Sequence, residues 1–160
     1  MKEEKRVSEK KSYEYRITDI SGKPHGKMRL DHDLVSSVLK TDGFLRSFTL
    51  LSSMIKPESV HIVVELTDNL LRIGGIMNGG AIATIMDFAG GLVVMNDESV
   101  INEVTTNLSI EFISAVAKGP VTVEANLIKR GKTLAHVRID LYDSDHVLCS
   151  SALGTWFIYR

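Results

Sequence analysis

Cysteine occurs once in the 160 residues, at Cys149. An internal disulfide is therefore excluded, and the apolar run around Cys149 predicts a buried structural thiol. Charge of one sign is also missing: the formal net charge is −1, so the molecule as a whole is no obvious polyanion binder. No charged leader precedes an apolar segment, so a secretory signal is not expected and the sequence reads as cytoplasmic. The longest apolar window, Ile76 to Met95, contains Asp87, Asn78 and four glycines. A membrane-spanning helix needs about 20 apolar residues with few charges, so this window is expected as a helix buried within the protein. The five histidines, at positions 25, 32, 61, 136 and 146, show no metal-ligand spacing, and no metal is expected. A Gly-x-Ser-x-Gly nucleophile elbow does not occur. "GKT" at 131–133 resembles the end of a phosphate-binding loop, but Asn126 stands where that motif needs its first glycine, which excludes nucleotide hydrolysis by such a loop.

What is present fits one ordinary domain. Hydrophobic residues make up 44% of the chain and charged residues 24%. Residues 1–30 hold nine Lys or Arg against five Asp or Glu, a basic N-terminal arm. Its charges alternate in sign and lack interleaved aromatics, so it is expected as a solvated leader, not a nucleic-acid or membrane contact. The domain is expected over 31–160. Apolar residues at Leu34, Val35, Val38, Leu39, Leu45 and Phe48 have helical spacing from Asp31 to Met54, with a break near "TDG". "SVHIVVEL" reads as a strand. Asn78 suits a helix N-cap, and Ala81 to Met95 is long, apolar nearly all round and without period-2 polarity.

Four further strands follow, "NEVTTNLSIEFISA", "GPVTVEANLIK", "TLAHVRIDLYD" and "VLCSSALGTWFIY", expected as a meander joined by tight turns. In the first, Val104, Thr106, Leu108, Ile110 and Phe112 are expected on one face, and Thr105, Asn107, Ser109 and Glu111 on the other. An antiparallel sheet has one face to cover, and the central helix is the only element apolar enough to cover it. The pattern predicts an α+β fold, a sheet wrapped around one buried helix with an N-terminal helical extension.

That order of elements resembles the hotdog fold. "NGGAIATIMDFAGG" is similar to the helix start of hotdog acyl-coenzyme A thioesterases of the phenylacetate-pathway type, with an Asp nine residues after a His-Gly-Gly start. "TTNLSIEFISA", "RGKTL" and "GTWFI" resemble strands and a loop of the same family, over roughly Val60 to Ile158. The resemblance implies hydrolysis of acyl-coenzyme A, with coenzyme A as part of the substrate and no separate cofactor. It implies that Asp87 is the catalytic carboxylate, that the Gly79 N–H polarises the thioester carbonyl, and that the Thr105 hydroxyl lies near the attacking water. It assigns Lys129, Arg130, Gly131, Lys132, Thr133 and Leu134 to coenzyme A contact. Asn78 stands where the family usually has His, and as a helix cap or a substrate contact both roles stay open. Gly80 lets a substrate approach the helix end, and Phe112 is expected to line the acyl pocket.

Helix geometry adds a constraint. Gly79 and Asp87 are eight residues apart, about 12 Å along a helix, so one carbonyl cannot touch both. Asp87 must work with the helix N-terminus of a second copy, which predicts a homodimer or a dimer of dimers. Two other functions stay open on the sequence: a non-catalytic acyl-coenzyme A binder, and a hydratase or dehydratase of the same fold. The last wants an Asp and a His close together in sequence, a pair this helix lacks.

Overall fold

A computed structural model describes residues 30–160. The basic arm expected over 1–30 lies outside these residues, Leu30 excepted. The described residues run α1 (His32–Thr41), β1 (Leu50–Lys56), β2 (Ser59–Val64), α2 (Gly79–Met95), β3 (Asn102–Phe112), β4 (Val121–Arg130), β5 (Leu134–Tyr142) and β6 (Leu148–Tyr159). The six strands form one sheet in the order β1-β2-β4-β5-β6-β3, with every neighbouring pair antiparallel. This is the hotdog arrangement, with α2 held against the inner face of the sheet.

Alternation builds that inner face. Val60, Ile62 and Val64 of β2, Val121, Val123 and Ala125 of β4, and Ala135, Val137, Ile139 and Leu141 of β5 are all buried. Against them α2 buries Ile82, Ile85, Met86, Ala89, Leu92, Val93 and Val94. The Trp156 ring of β6 fits between helix and sheet because two facing positions lack a side chain. A Cβ at Gly90 on α2 or at Gly154 on β6 would stand 2.3 Å from the indole. α1 starts from Asp31, whose Oδ1 accepts the Leu34 N–H at 2.9 Å, and contributes Val35 and Leu39 to the core. None of the described helices is long and apolar enough to cross a membrane.

Two expectations on the elements are corrected. The helical reading of Asp31–Met54 holds for α1 and, past the break, for a single 3-10 turn at Leu45–Ser47, but Leu50–Lys56 is the edge strand β1. Its pairing with β2 shifts register between Leu50 and Ser52, which breaks the period-2 pattern that would have marked a strand. The four-strand meander is a three-strand one, β4-β5-β6; β3 lies at the far edge, beside β6. The chain leaves β3 with the Ile113 and Ser114 N–H groups both donating to the Cys149 carbonyl, and crosses to β4 instead of turning back. Alternation within a strand gives its two faces but not its neighbour, so sequence order stood in for spatial order.

The faces of β3 also differ from the simple alternation. A bulge between Thr105 and Asn107 puts an extra residue into the strand. Glu103 and Thr105 are part-buried, as are Leu108 and Ile110 beyond the bulge, whereas Val104 and Thr106 are exposed.

The Trp156 slot generates a stability prediction. Gly154→Ala should destabilise the fold by about 1–3 kcal/mol, because the added methyl must displace the indole. Gly43→Ala, with nothing within 4 Å of the new methyl, serves as the control. Urea unfolding of both variants checks this; equal midpoints for the two would show that the slot has slack.

Candidate active site

The N-terminus of α2 is assembled from three contacts. Asn78 caps it, its Oδ1 accepting the Gly80 N–H at 2.8 Å. The Asn78 N–H donates to the Leu70 carbonyl at 2.8 Å, and the Met77 N–H to the Val116 carbonyl at 2.9 Å, which fix the approach to the helix. Leading in, the chain turns through Gly74 and Gly75, at φ +105° and +76°, values open to glycine and costly for other residues. Gly79 and Ala81 carry first-turn N–H groups that helical pairing leaves free. Phe112 ends β3 beside this helix end: a Cβ at Gly79 would lie 3.6 Å from its ring, and the ring is itself exposed. The sequence-predicted residues Asn78, Gly79, Gly80 and Phe112 are thus brought together, with backbone donors and an apolar ring around one space.

Asp87 lies two turns further along α2, half-buried, and accepts a hydrogen bond from the Thr105 hydroxyl at 2.8 Å. Burial raises its carboxyl above the usual range, and the Thr105 bond opposes that rise. Asp87 and Thr105 therefore form a second cluster, about 12 Å from Gly79 by helical rise. No single thioester carbonyl reaches both clusters within one chain.

The 130–134 hairpin stands at the opposite end of α2 from Gly79. Arg130 is committed there: Nη2 donates to the Val93 carbonyl at 2.8 Å, and Nη1 pairs with Asp97 Oδ2 at 3.3 Å. Hydrogen bonds from Ser99 hold Asp97 below its ordinary value, so this anchor stays charged. The Gly131 N–H donates to the Leu134 carbonyl at 2.7 Å and closes the turn. Lys129, Lys132, Thr133 and Leu134 are exposed, leaving two cations of the expected three directed to solvent. Among the described residues, no cluster of three or more His, Cys, Asp or Glu is arranged to hold a metal ion.

Sequence reasoning passed over one residue, Glu103. It lies two residues before Thr105 on β3, and burial first, then the charge of Asp87, pushes its carboxyl up to about 7. The signal was available: residues two apart on a strand share a face, and Thr105 had been assigned to the site.

Comparison with known proteins sets this geometry in a family. The sequence model of the thioesterase superfamily matches residues 74–150. Ta0293 of Thermoplasma acidophilum, a proposed esterase, is 43% identical over 130 residues, which cover 81% of this chain and 98% of that protein. Mouse acyl-coenzyme A thioesterase 13 is 26% identical over 113 residues, 68% of this chain and 79% of that one. Among solved structures, the thioesterase HI1161 of Haemophilus influenzae superposes with a TM-score of 0.75 at 16% identity, covering 84% of this chain and 94% of that one. The Streptococcus mutans protein smu.793, solved bound to acetyl coenzyme A, superposes with a TM-score of 0.62 at 23% identity, over 70% of this chain and 88% of that one. The matched segment carries Asn78, Asp87 and Thr105 on the helix and strand just described, and with 43% identity across nearly all of one relative the chain belongs to the thioesterase superfamily.

Proposed function

We propose that the protein hydrolyses acyl-coenzyme A thioesters, with Asp87 as the general base. The observation that carries this is the Asp87–Thr105 hydrogen bond inside a largely apolar helix–sheet contact. A carboxylate placed there is costly unless its charge is used, and a hydroxyl bond keeps one oxygen oriented while the other is free to meet a water. The water loses its proton to Asp87 and adds to the thioester carbonyl. Free N–H groups at the start of a helix stabilise the oxyanion that develops, and collapse expels the coenzyme A thiolate, which is protonated as it leaves. These steps require no bound cofactor.

The helix end that receives the carbonyl belongs to a second copy. Eight residues of helix separate Asp87 from Gly79, and a rigid helix cannot shorten that span. Two copies with antiparallel α2 helices side by side bring each Asp87 to the other's Gly79. The unit of function in this reading is a dimer, alone or paired again. Asn78 fits both of its open roles: its Oδ1 serves as the cap, and its amide hydrogens remain as donors toward the same space. Phe112, beside Gly79, gives the acyl chain an apolar wall. Lys129 and Lys132 suit the phosphates of coenzyme A, with Arg130 holding the hairpin to α2. The acyl-coenzyme A class is supported by what smu.793 binds and by the mouse relative's name.

Asp87→Asn keeps shape and removes basicity, so kcat for thiol release should fall by about 10²-fold or more with KM nearly unchanged. In the parent, the acid limb of kcat should lie above the ordinary carboxylate value of 3.8, because burial favours the protonated form. An Asp87→Asn chain that folds and turns over at the parent rate would make the carboxylate structural only.

Lys129→Ala with Lys132→Ala should raise KM for acyl-coenzyme A, more at low salt than at high salt, because exposed ion contacts are screened. An equal KM at low ionic strength would remove these lysines from the site.

Subunit mixing tests the composite centre. Gly79→Val should block the helix end and, like Asp87→Asn, abolish activity alone. Refolding the two variants together should restore about a quarter of parental activity, since mixed dimers keep one intact site. No recovery in verified mixed dimers would place the whole centre in one chain.

A further inference from the structure

We propose that Glu103 is a positioning residue for the Asp87 base: buried and protonated one helical turn away, it keeps Asp87 the single negative charge of the centre. The inference rests on the reading of Asp87 as the base. Geometry brings Glu103 there. It shares its face of β3 with Thr105, the Asp87 hydrogen-bond donor. Its carboxyl lies against Gly91 of α2: a Cβ on Gly91 would be 2.7 Å from Glu103 Oε1. Gly91 follows Asp87 by four residues, so the two positions share one face of the helix. A glycine at 91 is what makes room for the Glu103 carboxyl at that turn.

The carboxyl is not arranged to carry charge. Glu103 Oε2 is buried with no hydrogen-bond partner among the described residues. The nearby Trp156 Nε1, 3.8 Å from the same Gly91 Cβ position, is likewise unpartnered. The elements packed around Glu103 bring it one titratable neighbour, Asp87 of α2. β3 supplies Thr105, and β6 supplies Trp156 and the paired Ile158. Arg130 of β4 binds the Val93 carbonyl and Asp97 through its two terminal nitrogens further along the helix, and its Nε is buried without a partner among the described residues. Of the two carboxyls, Asp87 is the more exposed and has a hydroxyl donor, so it takes the charge and Glu103 keeps the proton. The rise of the Glu103 carboxyl to about 7 agrees with this division.

Function depends on the proton staying there. While Glu103 is neutral, the oxyanion forms beside a base that has just been neutralised by its own proton. Once Glu103 ionises, a second buried anion opposes the oxyanion across low-dielectric surroundings. The rate should therefore fall as pH rises through the Glu103 ionisation.

The test uses the full chain in two measurements. The first is kcat/KM for hexanoyl-coenzyme A against pH. The parent should lose about tenfold per pH unit above roughly 7, and Glu103→Gln, which mimics the neutral acid, should abolish that alkaline limb and keep the acid limb. The second is a carbon-13 NMR titration of the glutamate carboxyls, which needs no turnover and no Glu103 variant. One glutamate should titrate near 7 in the parent and move to lower pH in Asp87→Asn, where the neighbouring charge is gone. An alkaline limb unchanged in Glu103→Gln, or no glutamate titrating above the ordinary carboxylate range, overturns the proposal. A chain that releases no thiol at any pH would instead fail the reading of Asp87 as base, while the NMR titration still decides whether Glu103 holds its proton against Asp87.

Discussion

The structure depends on the burial of one apolar helix against the inner face of a six-stranded sheet. At about 25 cal/mol per Å² of apolar surface removed from water, a helix apolar on nearly every side contributes substantially to the stability of the fold. That burial also creates the chemical setting. A carboxyl on such a helix is lifted toward neutrality by desolvation, and a hydrogen bond from a strand residue steadies it. Asp87 and Thr105 occupy such a position, and Glu103 occupies a drier one beside them. The gradient in exposure between the two neighbouring carboxyls is what sets them apart in the proposed centre.

Rigidity is the second consequence of a buried helix. α2 has its start tied to Leu70 and its end tied by Asn96 Nδ2 to the Lys56 carbonyl at 2.7 Å, with Arg130 on the Val93 carbonyl. Neither end can fold toward the other. The N–H groups at the start of α2 and the Asp87 carboxyl near its middle are therefore held at a fixed separation of about 12 Å.

Much of this was legible in the sequence, and the parts that were not share a cause. Asn78 as the cap, the long buried helix and the three strands β4, β5 and β6 follow from spacing and residue type, which act locally. β1 was hidden because a register shift at Leu50/Ser52 removed its alternation. The place of β3 was hidden because pairing partners are chosen by the whole sheet. Within β3, the bulge defeated period-2 reading: it assigned Val104 and Thr106 to the same face as Leu108, when Glu103 and Thr105 turn inward instead. Asp87, Gly79 and Thr105 were named through resemblance, whereas Glu103 lies outside the family motif and was signalled only by its two-residue spacing from Thr105. The engagement of Arg130 with the end of α2 could not be read from a basic turn, where three cations look alike.

The bulge in β3 has a consequence for how such a protein can change over generations. Leu108 and Ile110 hold the strand to the core from one side of the bulge, and Glu103 and Thr105 serve the carboxylate from the other. Because Thr106 is the residue left over at the bulge, its loss would restore strict alternation with Thr105 and Leu108 still on one face, so both pairs would stay turned inward. In an unbulged strand the loss of one residue turns over every side chain on one side of it, and the bulge absorbs that flip. A one-codon deletion at Thr106 is thus a length change the strand can absorb, whereas a deletion at Val104 or Ser109 would put Glu103 and Thr105, or Leu108 and Ile110, on opposite faces.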